Sequence, residues 1–245
     1  MRPGGSYVAP LGGSLSTLFL ARHGQTRGFL TGSYTDLTDL GVAQARGFGA
    51  WLAAMQVQPD RVFVGPRDRH QQTHDHARAA SGMDWPAAVR LTDLDEHHGF
   101  EVVAHLLSGE GGALGDELRA AVITQDRVQI LRAFRDMMHA WARGDVRAPQ
   151  GEDWDAFRVR VARGLDTLCD AAANGQTVLA FTSGGFVGVA SATLLGLGGP
   201  ASTVDLAFSV DNTAFSEVRF SADRRTLYRF NAAPHARADM PLTGI

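Results

Sequence analysis

Cysteine is nearly absent, since Cys169 is the single thiol in a chain of 245 residues. One thiol cannot form an intrachain disulfide, and it excludes a zinc or iron–sulfur site built from several thiolates of one chain. This composition is typical of a protein from a reducing cytoplasm, where we expect the chain to reside. Because Cys169 lies among apolar residues of a predicted helix, we expect it to pack in the core.

Long apolar runs and a net positive charge are missing as well. No run approaches the ~20 apolar residues that a membrane-spanning helix requires, so the sequence predicts no membrane span. The chain has 23 basic and 26 acidic residues, a formal net charge of -3 and a pI near 6.3. Without a global positive field, general nucleic-acid binding through bulk electrostatics is disfavoured, whereas a local basic pocket stays possible.

The length and the apolar content indicate one large domain. Residues 1–16 contain four glycines and no continuous apolar core, so they do not resemble a secretory signal and are predicted to be a flexible lead-in. Residues 17–245 are interpreted as a single domain of alternating strands and helices, with helices on both faces of the sheet. A helical insertion at about 97–150 is predicted to form a cap over the site.

The local patterns place the elements more closely. Apolar runs predict strands, and apolar spacing or polar faces predict helices. The predicted strands cover 17–21, 61–64 and 177–181, with β-like tail segments near 205–210, 213–219 and 225–230. The predicted helices include one that begins after Thr38 or Asp39, and others over 68–80, 116–142, 153–173 and 186–195.

Three ordered strings carry the functional signal, and they read LARHGQT at 20–26, DLTDLGVAQA at 36–45 and GPRDRHQQT at 65–73. The first places Arg22, His23 and Gly24 directly after a buried strand. Together the strings resemble the histidine phosphatase superfamily, the phosphoglycerate-mutase-like enzymes, in which segments of the form D-x-L-T-x-x-G-x-x-Q-A and S-P-x-x-R-x-x-x-T follow an RHG motif. The resemblance implies a three-layer α/β/α sandwich of the phosphoglycerate-mutase-like type.

The resemblance also implies the site residues. His23 is the nucleophile that becomes a phosphohistidine, and Arg22 and Arg69 offer planar forks of donors to the phosphate oxygens. Gly24 is expected to let the backbone approach the phosphate. In the string LDEHHG at 94–99, Glu96 is chosen as the general acid/base, with a pKa raised near bound phosphate. Asp95 stays an alternative, because the distance in sequence from Glu96 to Gly99 is one residue shorter than in the family motif and the distance from Asp95 matches it.

The family's second histidine is replaced, because Ser183 stands at its position in the string FTSGG at 181–185. Serine can donate a hydrogen bond to phosphate but carries no positive charge, which costs on the order of tenfold in rate. We hypothesise that His97 or His98 supplies the missing imidazole.

Other polar residues have a structural alternative. Gln25 and Thr26 either bind phosphate or shape its loop. His70 and His74 share a helix face at the spacing of metal ligands, but a solvated polar face is the favoured interpretation. Neither a metal nor a cofactor is predicted. Trp141 and Trp154 are interpreted as packing residues near the cap.

The predicted function is hydrolysis of a small phosphorylated substrate through a phosphohistidine, with inorganic phosphate as the other expected ligand. Phosphatase is favoured over mutase because no signature for retaining a phosphorylated enzyme is visible. One alternative is a catalytically weakened module that binds phospho-ligands. Another is a serine α/β-hydrolase, in which Ser183 is followed in chain order by Asp205 or Asp211 and by His235. The oligomeric state is left open.

Overall fold

The computed structural model describes residues 15–27, 35–110, 112–147, 151–172 and 174–244. The predicted lead-in therefore lies outside the described residues except at its last two positions. Of these, Ser16 already belongs to the first strand, one residue earlier than the sequence predicts.

The described strands form one six-stranded mixed sheet in the order β3-β2-β4-β1-β5-β6. β1, β2, β3 and β4 pair in parallel, whereas β5 and β6 run antiparallel at one side. Arg22 is the register partner of Thr182, so the carboxyl ends of the neighbouring strands β1 and β4 meet at one edge. The strands are β1 (Ser16–Arg22), β2 (Arg61–Val64), β3 (Val89–Arg90), β4 (Thr177–Thr182), β5 (Phe215–Phe220) and β6 (Arg225–Ala232).

Helices connect the parallel strands and cover the sheet. A 3₁₀ turn, Thr92–Leu94, follows β3, and a π-helical turn, Leu106–Glu110, follows the third helix. The described helices are α1 (Asp39–Ala54), α2 (Asp68–Ser81), α3 (Gly99–His105), α4 (Gly112–Thr124), α5 (Arg127–Arg143), α6 (Trp154–Asp170), α7 (Gly184–Leu194) and α8 (Pro200–Phe208). None of them is long and apolar enough to cross a membrane.

Side-chain alternation along β1 assigns the helices to two layers. Phe19 and Ala21 belong to a core cluster with Phe48 of α1 and Ala77 of α2. Leu18 and Leu20 belong to the cluster on the opposite face, which the side chains of α3 to α8 complete. Because successive strand residues point to opposite faces, the sheet lies between two helical layers. The predicted three-layer α/β/α architecture is confirmed.

Two predicted elements are wrong. The single helix over 116–142 is divided, because Gln125 takes a left-handed φ of 53° and the Asp126 side chain caps α5 by accepting from Val128 N and Gln129 N. The β-like segment near 205–210 mostly continues helix α8, which opens with Pro200. A short apolar run does not distinguish a strand from a buried helix by its pattern alone.

The region predicted as a cap contains α3, α4 and α5. Trp141 and Trp154 pack edge to face with ring centroids 5.2 Å apart, and both are buried. They belong to the same core cluster as Cys169, so the predicted packing roles of these three residues are confirmed. The extent of the cap stays a prediction.

Candidate active site

The site begins where β1 and β4 end. His23 follows β1 and is completely buried. Its backbone N–H donates to the Thr182 carbonyl at 2.9 Å, and Asn212 Nδ2 donates to the His23 carbonyl at 3.0 Å. These bonds hold the backbone of His23 beside Ser183, the first residue after β4. Both residues therefore lie at the same edge of the sheet, where β1 and β4 end.

The His23 ring has a defined tautomer. Its Nδ1 lies 2.7 Å from the Gly24 carbonyl oxygen, which can only accept, so the proton resides on Nδ1 and the lone pair on Nε2. Burial lowers the pKa of His23 well below its ordinary value, and the charges of Arg69 and Arg22 lower it further, while the Gly24 carbonyl opposes them. At neutral pH the ring is an uncharged imidazole with a nucleophilic Nε2.

Two buried guanidinium groups lie close enough to this imidazole to lower its pKa. Arg22 donates through Nη1 to the Val210 carbonyl, and its buried Nε has no hydrogen-bond partner among the described residues. Arg69, in the first turn of α2, donates from Nη2 to Ser183 Oγ at 3.2 Å. Because both charges lower the pKa of His23 and of Glu96, they concentrate a positive potential at one position. An oxyanion is the complementary ligand.

Ser183 directs its hydroxyl into the site instead of capping α7. It occupies the N-cap position of α7 but makes no side-chain cap hydrogen bond. Its Oγ lies 2.6 Å from His70 Nε2, and this bond is buried. The ring centroids of His70 and His23 are 5.8 Å apart. His70 is therefore a site residue that the sequence interpretation missed.

The expectation of a solvated polar face for His70 and His74 is wrong. Both are buried, because that face of α2 packs on the sheet, where the His74 ring lies 5.6 Å from the ring of Phe181. Among the described residues, no group of three or more His, Cys, Asp or Glu side chains is arranged to hold a metal ion.

His97 lies beside Glu96 and the first turn of α7, where a Cβ on Gly185 would lie 2.7 Å from His97 Cδ2. His97 accepts from Gly99 N through Nδ1 at 3.0 Å, and its Nε2 is 3.7 Å from Glu96 Oε1. His98 occupies the N-cap position of α3. The imidazole in contact with Ser183 thus belongs to His70 and not to either hypothesised residue.

Glu96 is buried beside the start of α7. Its Oε2 accepts from Gly185 N at 3.4 Å, and a Cβ on Gly185 would lie 2.1 Å from Glu96 Oε1. Burial raises the pKa of Glu96, but His97, Arg69 and Arg22 together lower it below its ordinary value. The predicted upward shift is therefore absent without bound phosphate, because these neighbours outweigh the effect of burial.

Asp95 points to a different partner. Its Oδ1 accepts from Arg67 Nε at 2.5 Å and from the Glu96 backbone N–H at 2.8 Å. This ion pair with a half-exposed arginine occupies Asp95, whereas Glu96 is the carboxylate near Arg22 and Arg69. Between the two alternatives, the geometry favours Glu96.

Arg160 of α6 holds the loop that carries Glu96. Its guanidinium donates to three backbone carbonyls of this segment, those of Asp93 at 3.0 Å, Asp95 at 2.8 Å and Glu96 at 3.1 Å. It also pairs with Glu152. No sequence signal identifies this role, because backbone carbonyls are the same for every residue type.

Gly24 is constrained by the neighbouring helix. Its backbone N–H donates to Thr73 Oγ1 at 3.0 Å, so this group is already engaged. A Cβ on Gly24 would lie 2.5 Å from the Gly41 carbonyl oxygen. The approach of α1 is thus an observed reason for glycine at this position, and the approach of phosphate stays a prediction.

Gln25 and Thr26 shape the loop after β1. The Gln25 side chain accepts from Thr38 Oγ1 at 2.8 Å, and its backbone N–H donates to Gln44 Oε1 at 2.9 Å. Thr26 forms an isolated antiparallel bridge with Leu37. These contacts join the loop after β1 to the start of α1. They favour the alternative that both residues shape this loop.

The serine-hydrolase triad is not assembled. Asp205 pairs with Arg135 and His139 on the surface. Asp211 accepts from Asn231 Nδ2 at 3.1 Å, and His235 Nε2 lies 2.9 Å from Thr213 Oγ1. Ser183 instead contacts Arg69 and His70, so the proposed acid and base do not serve it.

Fold and site together define an α/β protein with a buried histidine at the end of its first parallel strand. The profile of the histidine phosphatase superfamily (branch 1) matches residues 18–100 and 119–233, and the chain belongs to that family. The unmatched residues 101–118 fall within the predicted cap.

Individual relatives carry names of mutases and phosphatases. A 2,3-bisphosphoglycerate-dependent phosphoglycerate mutase from Caulobacter vibrioides is 34% identical over 89 residues, which cover 34% of this chain and 38% of that protein. The chain thus aligns with well under half of that relative.

Solved structures share the fold at low identity. A putative α-ribazole-5'-P phosphatase from Escherichia coli has a TM-score of 0.62 at 22% identity, with 89% of this chain and 97% of that chain covered. A phosphoglycerate mutase from Bacillus anthracis has a TM-score of 0.62 at 17% identity, with 91% and 96% covered.

Proposed function

We propose that this protein hydrolyses phosphomonoesters of small molecules through a phosphohistidine on His23. The observation that carries the proposal is the neutral, buried His23 ring, whose Nδ1 proton points to the Gly24 carbonyl. The charges of Arg22 and Arg69 near His23 support it, because preorganised positive charge stabilises the oxygens of a transferring phosphoryl group.

In the first step, His23 Nε2 attacks phosphorus, the P–N bond forms and the bond from phosphorus to the ester oxygen breaks. The leaving alkoxide takes the proton of the Glu96 carboxylic acid. In the second step, water attacks phosphorus and gives a proton to the Glu96 carboxylate. The P–N bond then breaks, which returns neutral His23 and releases inorganic phosphate.

Glu96 needs to be protonated for the first step, although the unliganded site lowers its pKa. A bound phosphoryl group brings negative charge to the same arginines that stabilise the carboxylate. It offsets their effect on Glu96 and disfavours a second negative charge nearby. Substrate binding therefore raises the pKa of Glu96 towards the range of a useful acid.

Hydrolysis is preferred to mutase chemistry in this proposal. A mutase returns the phosphoryl group to a second substrate hydroxyl and must keep the phosphoenzyme from water, and no dedicated signature for this is visible in the sequence. The mutase relative aligns over only 38% of its length. A phosphoenzyme that decays equally fast with and without 3-phosphoglycerate supports the phosphatase.

Rapid-quench labelling with a ³²P-labelled aryl phosphate tests the proposal. We expect an acid-labile, base-stable phosphoenzyme that is lost in His23→Ala. The control variant His76→Ala, which removes a half-buried histidine of α2, should keep it. Phosphate binding without turnover above the His23→Ala background would instead identify a phospho-ligand-binding module. This alternative is considered because Ser183 stands where the family resemblance implies a second histidine.

A further inference from the structure

The start of α2 and the end of β4, which lie far apart in the chain, meet next to Ser183. His70 Nε2 is 2.6 Å from Ser183 Oγ, across a sequence separation of 113 residues. A Cβ on Gly65 would lie 2.3 Å from His70 Nδ1 and 2.9 Å from its Cε1. The imidazole of His70 therefore fits against Ser183 because position 65 carries no side chain.

The hydrogen-bond directions around Ser183 follow from the donors present. Arginine has no acceptor, so Ser183 Oγ accepts from Arg69 at 3.2 Å. The one proton of the Ser183 hydroxyl is then free to point to His70 Nε2, provided that this nitrogen has a lone pair. In the unliganded site, a neutral His70 with its proton on Nδ1 satisfies this arrangement.

The charges that face His70 keep its ring neutral. Burial lowers the pKa of His70 well below its ordinary value, Arg69, Arg67 and Arg90 lower it further, and the backbone of Gly65 opposes them. The ring of His23, 5.8 Å away, is neutral as well. The charges that lower the pKa of His70 are those of arginines, one of which, Arg67, pairs with Asp95, so an arriving phosphate anion opposes their field.

We propose that His70 is a positioning residue that acts through Ser183, and that the pair relays a proton between the bound phosphoryl group and the His70 ring. This inference rests on the proposed phosphatase function. It places an imidazole behind the serine that stands where related enzymes carry a second histidine, and it gives this serine a charged partner.

The relay conserves every proton. A phosphomonoester that binds as the monoanion passes its proton to Ser183 Oγ, while the Ser183 proton moves to His70 Nε2. The result is a dianionic phosphoryl group, a serine hydroxyl that donates to one of its oxygens, and an imidazolium behind the serine. Release of inorganic phosphate as the monoanion reverses the two transfers.

Kinetics with p-nitrophenyl phosphate test the relay in the full chain. We expect His70→Asn and Ser183→Ala each to lower kcat tenfold or more, and the double variant to be no slower than the slower single one, because residues that act as a unit are not additive. The pH profile of His70→Asn loses one ionisation of the wild type. His76→Asn is the control on the same helix, and melting temperatures show that each variant folds.

A second measurement does not depend on turnover. With ¹⁵N-labelled histidine, NMR reports the protonation of His70 as inorganic phosphate is added, and we expect the ring to gain a proton on binding. An unchanged His70 ring in the phosphate-bound protein overturns the relay.

The two proposals fail in distinguishable ways. If His23→Ala abolishes the phosphoenzyme while His70→Asn keeps the wild-type kcat and pH profile, the relay is overturned and the phosphatase stands. If the wild type forms no phosphoenzyme, the phosphatase is overturned and the NMR titration decides on the relay. A protein that binds no phosphate overturns both.

Discussion

Removing Arg160 should reveal how strongly the acid/base loop depends on a distant helix. In Arg160→Ala, the carbonyls of Asp93, Asp95 and Glu96 lose their common donor. Glu152 loses its ion-pair partner at the same time, and the two side chains of this pair are only 14% and 13% exposed. We expect the variant to be less stable and to place Glu96 poorly.

The magnitude follows from the burial of that pair. Leaving one partner of a buried ion pair without its counter-ion costs about 3–5 kcal/mol, and residual solvent access places Arg160→Ala near the lower end, at about 3 kcal/mol. Misplacing a catalytic group by about 1 Å can cost roughly a hundredfold in rate. We therefore expect kcat to fall by about ten- to a hundredfold.

Urea unfolding gives the stability change through the midpoint at constant m, and aryl phosphate kinetics give kcat. Arg158→Ala on the same helix is the matched control, because its ion pair with Asp155 is 48% and 86% exposed at 3.7 Å and is worth about 0–1 kcal/mol. Replacing Arg160 by Met together with Glu152 by Leu should recover stability but not kcat. An Arg160→Ala variant as stable and active as Arg158→Ala would refute the role of Arg160 in holding the Glu96 loop.

Three further outcomes are expected. Burial lowers the pKa of His235 from 6.5 to about 4, so the unfolded chain binds more protons below pH 6.5 and the folded protein loses stability there. In urea unfolding at pH 7 and pH 5, His235→Gln should remove about 2 kcal/mol of this loss. Equal pH dependence of stability in wild type and variant would contradict this. Gly24→Ala places a methyl group 2.5 Å from the Gly41 carbonyl oxygen and should cost about 1–3 kcal/mol in thermal melts, unlike Gly198→Ala, whose Cβ would meet nothing within 4 Å. Glu96→Gln should lower kcat for alkyl phosphates by about 10²–10⁴-fold. The loss should be far smaller for p-nitrophenyl phosphate, because its leaving group needs no proton. Equal losses of kcat for both substrates would argue against Glu96 as the acid.

Local signals in the sequence were sufficient for most of the central sheet and its first helices. The apolar runs placed β2 and β4, and Thr38 was correctly one of two candidates for the cap of α1, where its Oγ1 accepts from Gly41 N at 3.0 Å. Such signals depend on residues a few positions apart, so a single chain displays them. The break between α4 and α5 was missed because glutamine has no strong preference for a left-handed backbone conformation, so Gln125 gives no signal of a helix end in the sequence.

The sequence by itself indicated most of the strands and helices and the family, because the RHG and arginine motifs are contiguous strings, and it predicted Arg22, His23 and Arg69 as candidate phosphate-binding and catalytic residues. Only the tertiary structure decided which of the nine histidines lies against Ser183. His70 reaches it because α2 packs on the sheet beside the end of β4, and because Gly65 leaves room for the ring. A contact across 113 residues depends on the packing of whole elements, and no local pattern encodes it.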